Sequence, residues 1–163
     1  MQFARAARGA PSAARLRGFA RAAASPAVDA TLRIVGAAEG RRLNRAYRGN
    51  DSATNVLTFR YSRIARGAGR ESQRGDIVLC HPVVAREART QGKALVAHYA
   101  HLVVHGMLHL RGFDHARPRD ATRMERREAA ILARLGYRDP YAAERAARRG
   151  GGGRRAPISK SIE

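Results

Sequence analysis

At 163 residues the chain is long enough for one domain around a single core and too short for two. Its net charge of +19, from 32 Lys+Arg against 13 Asp+Glu, repels basic surfaces and attracts polyanions such as RNA, although the arginine- and alanine-rich composition also suggests a genome-wide codon bias as a source of part of the excess. A lone cysteine, Cys80, excludes an intramolecular disulfide or a thiolate metal cluster and suits a reducing cytoplasm, and no apolar run approaches the ~20 residues that cross a bilayer, so no membrane partner is expected.

Residues 1–25 carry no acidic side chain, which is the composition of an organellar transit peptide. The same composition runs through the whole chain, so the segment reads instead as a basic extension. Within it, Leu16, Phe19, Ala20 and Ala23 recur at helical spacing and predict a helix over Pro11 to Ser25. Val28, Ala30, Leu32 and Ile34 alternate with more polar neighbours, the pattern of a half-buried strand to Val35. A helix fits Glu39 to Tyr47, stopped by Gly49. NVLTFRY (Asn55 to Tyr61) and DIVLC (Asp76 to Cys80) are short β-rich runs that read as strands, with Ser62 to Arg74 an exposed Gly- and Arg-rich loop between them.

His81-Pro82 opens a helix to about Gln91, broken by Gly92. Lys93 to Leu110 is a long, mostly apolar pattern that reads as a central buried helix ended by Gly112. Asp120 to Leu135 forms the last predicted helix, with Met124, Ile131, Leu132 and Leu135 on one stripe. Beyond Tyr141 the glycines and charges of RRGGGGRRAPISKSIE bury too little surface to order a tail, read as a candidate RNA-contacting arm. The expected organisation is therefore an extension over 1–25, a domain over 26–141 and a disordered tail over 142–163. Helices and short strands without regular alternation define an α+β class.

The chemistry concentrates in HGMLHLRGFDH, residues 105 to 115. His105 and His109 stand one helical turn apart, so both imidazoles project the same way. Gly112 lets the chain reverse and bring His115 round as a third ligand. Three nitrogen ligands leave a fourth tetrahedral position open, the arrangement of a catalytic rather than a structural zinc site. His98 and His101 fall on the same arc of the helix. His101 is either a group supporting the ligands or a substrate contact, and His98 a satisfied buried or surface residue. The glutamate that follows the first histidine in H-E-x-x-H peptidases is replaced by Gly106, which counts against peptide hydrolysis and leaves phosphodiester chemistry open.

HLVVHGMLHLRGFDH closely resembles the signature of the YbeY family, bacterial single-strand endoribonucleases of ribosomal RNA maturation. The likeness extends to LNRAYRGNDSATNVLTF (Leu43 to Phe59), GDIVLC (Gly75 to Cys80), Met124-Glu125 and Leu135-Gly136, spanning roughly residues 28 to 140. The resemblance implies a small mixed sheet of about four strands packed with about five helices, a zincin-like central helix carrying the metal, and one zinc on His105, His109 and His115. It further implies cytoplasmic action on the 3′ end of small-subunit ribosomal RNA, a part in ribosome quality control, and a functional arginine at Arg48 of YRGND. Where the family usually continues the VLTF strand with proline, this chain has Arg60.

A guanidinium at position 48 can pair two phosphate oxygens and meet the charge of a pentavalent transition state. Asp114 either orients an imidazole or caps its turn. Glu128 lies on the apolar stripe of the last predicted helix and needs a partner: a ligand imidazole, an arginine such as Arg48, or water. Two other functions share these residues, a zincin-like metal hydrolase or peptidase and a non-enzymatic ribosome-associated RNA-binding factor. Imidazole ligands also accept nickel, copper and other first-row ions.

Overall fold

The computed structural model describes residues 3–4, 8–25, 27–65 and 71–150. In chain order the elements are β1 (Phe3–Ala4), α1 (Ala13–Ala23), β2 (Val28–Val35), α2 (Ala37–Arg48), β3 (Val56–Arg60), β4 (Ile64–Ala65), β5 (Glu71–Cys80), α3 (His81–Thr90), α4 (Leu95–Leu110), α5 (Pro118–Arg134) and α6 (Ala142–Gly150). The sheet runs β1-β2-β5-β3, with β1, β2 and β5 parallel and β3 antiparallel to β5, so the mixed α+β architecture stands. β4 adds a short antiparallel pairing at the start of β5.

Side-chain alternation divides the two faces of the sheet. Leu32, Ile77, Leu79 and Val56 face α1, α4 and α5 in the main core, whereas Val35, Leu57 and Val78 join Leu43 and Phe59 on the side of α2. α4 is the buried centre, packing on α1, α3 and α5 and on the sheet. Gly106 is what lets it lie so close: a Cβ there would stand 2.9 Å from Cγ2 of Ile77. Since that position faces the sheet, a glutamate could not occupy it and serve as a base.

Three expectations change. The N-terminal helix is not a separate extension, because Ser12 caps α1 and Leu16, Phe19, Ala20 and Ala23 enter the main core. The Gly- and Arg-rich loop is shorter than read. Glu71 to Arg74 belong to β5, held by pairing with β4 at Glu71 and Ser72, with β2 at Gln73 and Arg74, and by buried Gln73, whose amide donates to the carbonyls of Tyr61 (2.6 Å) and Arg74 (2.8 Å). The tail is ordered at its start, where Asp139 accepts from the Tyr141 backbone (2.9 Å) and the alanines of α6 favour helix. Residues 151–163 of that tail lie outside the described residues. No helix of the described residues is long and apolar enough to cross a membrane.

Candidate metal centre

The C-terminal turn of α4 builds the site. Gly112 takes φ +90°, a left-handed conformation that costs glycine little, and the Gly112 and Phe113 amides donate to the carbonyls of His109 (2.9 Å) and Leu108 (3.0 Å). This double closure reverses the chain. Asp114 then secures the turn, its Oδ1 accepting from the backbone N–H of His115 (2.7 Å) and Ala116 (3.3 Å), which hold its carboxyl below the usual range. The cap is thus the role the geometry gives Asp114. His115 is delivered beside the helix, with its ring centroid 4.9 Å from that of His109 and 5.6 Å from that of His105.

The three histidines each turn a nitrogen inward, and these atoms lie within 4.8 Å of one another. The outward nitrogens of His105 and His109 are spoken for. His105 Nδ1 donates to Glu128 Oε1 (2.7 Å) and His109 Nδ1 to the Phe113 carbonyl (3.1 Å). A carbonyl can only accept, so the His109 proton sits on Nδ1 and its Nε2 carries a lone pair. Burial, then the charges of His105 and His115, lower the His109 pKa to about 4, keeping the ring neutral at neutral pH. The two Nε2 atoms of His105 and His109 face each other at 3.0 Å. Where His105 Nε2 carries a lone pair as well, the two repel, and a cation between them removes the conflict. The separation is close to that of two nitrogens on one tetrahedral ion with bonds of about 2.0–2.1 Å. The donor set therefore fits a metal ion.

Glu128 is fully buried on α5 and does not reach Arg48 or water. Its Oε2 accepts from His101 Nε2 (3.2 Å) and from the Tyr141 hydroxyl, which also lies 3.1 Å from His101 Nε2. Burial alone would raise the Glu128 carboxyl, but the hydrogen bonds from His101 and His105 outweigh it and hold the group charged. Burial, then the Glu128 charge, pushes the Tyr141 phenol well up, so its proton stays on oxygen. His101 consequently stands behind the three histidines, buried with Glu128, rather than at a substrate surface.

In front of them opens a cleft of about 320 Å³ lined by Arg48, Asn50, Val56, Thr58, Arg60 and the three histidines. Arg48 comes from the last turn of α2, where a cation also complements the helix C-terminus. Among the described residues, those lining the cleft include no carboxylate. Sequence reasoning missed Tyr141, Asn50, Thr58 and Arg60. The period-two alternation from Val56 puts Thr58 and Arg60 on its face and would have found the last two; nothing local marks Tyr141.

Fold and site together define a class: an α+β protein whose central helix presents three histidines able to hold a metal ion, beside a cleft flanked by arginines. The comparisons narrow it. The family model described as Endoribonuclease YbeY matches residues 16–136. A protein of Aromatoleum aromaticum named Endoribonuclease YbeY is 58% identical over 132 residues, covering 81% of this chain and 82% of its own. Relatives of the same name from Bordetella petrii (59% identical, 70% of this chain, 71% of theirs) and Thiobacillus denitrificans (52%, 86% and 93%) agree. The chain belongs to the YbeY family of endoribonucleases, which are hydrolytic nucleases.

Proposed function

We propose that this chain is a zinc-dependent, single-strand-specific endoribonuclease acting in the cytoplasm on ribosomal RNA, at the 3′ end of the small-subunit RNA, in maturation and ribosome quality control. The observation that carries the reading is the 3.0 Å approach of two imidazole nitrogens whose outer nitrogens are already engaged. His105, His109 and His115 would hold the ion. Zinc supplies Lewis acidity toward phosphoryl oxygens and activates water near neutral pH.

The chain's own groups do the rest. Glu128 fixes the tautomer and ring plane of His105, as the Phe113 carbonyl does for His109. Arg48 and Arg60, both on the cleft wall, hold the phosphate from two sides, and a guanidinium fork meets charge developing on its oxygens. Thr58 and Asn50 offer hydroxyl and amide groups to the sugar and phosphate. An amide substrate would need a base and an acid for its leaving group, and neither a carboxylate in the cleft nor position 106 provides one.

Protein purified without a histidine tag should contain about one zinc per chain and cut a single-stranded fragment of small-subunit ribosomal RNA, lose the activity to chelator and regain it with zinc. Casein cleaved while RNA stays intact would instead favour a peptidase. Full cellular rescue by His109→Ala would favour an RNA-binding factor without catalysis.

A further inference from the structure

The cleft does not end at the metal centre. β3 is an edge strand, and its alternation sends Val56, Thr58 and Arg60 into the cleft while Leu57 and Phe59 face α2. Arg48 lines the cleft from the end of α2, so the rim of the sheet connects the cleft to the outer surface of that helix. On this rim stands Tyr47, 67% exposed, its ring set edgewise on Phe59 at 4.7 Å between centroids. A large ring held in place and left in water is a ready platform for an unpaired base.

Further along α2, Arg41, Arg42 and Arg45 line a shallow groove of about 540 Å³ with Ala38, Ala46 and Asp51. Positions 41, 45 and 48 follow the i, i+4, i+7 spacing, placing three guanidiniums along one side of the helix over about 10 Å. Asp51 is the carboxylate of the groove. It holds Arg41 through two bonds, 2.9 and 2.6 Å, and stands 3.9 Å from Arg45, so three arginines face one acid.

Resting on the endoribonuclease reading, we propose that single-stranded RNA leaves the cleft over this rim, stacks a base on Tyr47 and lays its phosphates along α2 against Arg45 and Arg42. The track explains a preference for single strands, because a paired base cannot lie on Tyr47. The combination of cations with an aromatic platform favours RNA over an acidic protein surface.

The test measures binding of a long single-stranded oligoribonucleotide to the zinc-loaded full chain by fluorescence anisotropy over a range of salt, with kcat and KM measured beside it. Replacing Arg42 and Arg45 by alanine should lower the slope of log affinity against log salt by about 1.4, at about 0.7 per phosphate contact. Tyr47→Ala should cost about tenfold in affinity with little change in slope. Both should raise KM for the long strand more than they lower kcat. Arg126→Ala with Arg127→Ala removes equal charge from the exposed side of α5 and should keep the slope. Equal slopes in all the arginine variants, or equal loss from the α2 and α5 pairs, would overturn the track while wild-type cleavage still upheld the nuclease. A wild-type chain that neither binds nor cuts RNA would sink both.

Discussion

α4 carries two imidazole–carboxylate pairs of nearly equal geometry and opposite meaning. His98 Nε2 lies 2.8 Å from Glu87 Oε2, and His105 Nδ1 lies 2.7 Å from Glu128 Oε1. Both histidines are buried on the same helix. They differ in where the other nitrogen goes. His98 Nδ1 is buried with no hydrogen-bond partner among the described residues, whereas His105 Nε2 opens on the cleft and meets His109. The first pair pins α3 to α4, with Asn55 Nδ2 donating to the same Glu87 oxygen at 3.0 Å. The second leaves a nitrogen turned toward the other two histidines, where it could meet a metal ion. A carboxylate beside a histidine is therefore no mark of a metal site; the direction of the second nitrogen is.

Breaking the two pairs should separate these roles. The largest effect is expected from His109→Ala, which should abolish zinc retention and lower RNA cleavage by at least about a thousandfold, given the several kcal/mol that a metal contributes. His98→Ala should keep its zinc, as elemental analysis of the two variants would show. Next comes Glu128→Gln, for which chelator competition should find zinc affinity about 10–100-fold weaker. Glu87→Gln should bind zinc like the wild type yet unfold more easily, by about 1–3 kcal/mol in denaturant titrations. Gly106→Ala would drive a methyl against Ile77 and should cost about 1–3 kcal/mol of stability. The smallest effect belongs to Tyr141→Phe, which removes one bond to Glu128 and should cost about 1 kcal/mol in the metal-free protein.

What could be read beforehand follows the same division. β2 was legible because Ala30, Leu32 and Ile34 alternate into one core, and the turn after α4 because Gly112 has one good use there. The first half of β5 was not. Ser72, Gln73 and Gly75 look like a loop and become strand only through pairing, Ser72 with β4, Gln73 with β2 and Gly75 with β2 and β3, which local pattern does not encode. β1 is two residues long and has no pattern to detect; it exists as the partner of Leu32 and Arg33. The histidines 105, 109 and 115 stood out by spacing, but the partner of Glu128 was left open between an imidazole, an arginine and water. Burial on α5 decides it, and spacing does not encode which helix faces which. Tyr141 reaches Glu128 across a loop, so local periodicity is silent about it. Arg60, visible only as a residue of unexpected type, gains its meaning from the strand edge it occupies.

The most direct test of the central claim is calorimetric titration of the metal-free chain with zinc, beside His109→Ala and His98→Ala. One equivalent bound per chain, kept by His98→Ala and lost in His109→Ala, is the predicted result. Wild-type protein that takes up no zinc, or His109→Ala that takes it up equally well, would contradict the assignment of the converging imidazoles as the metal centre.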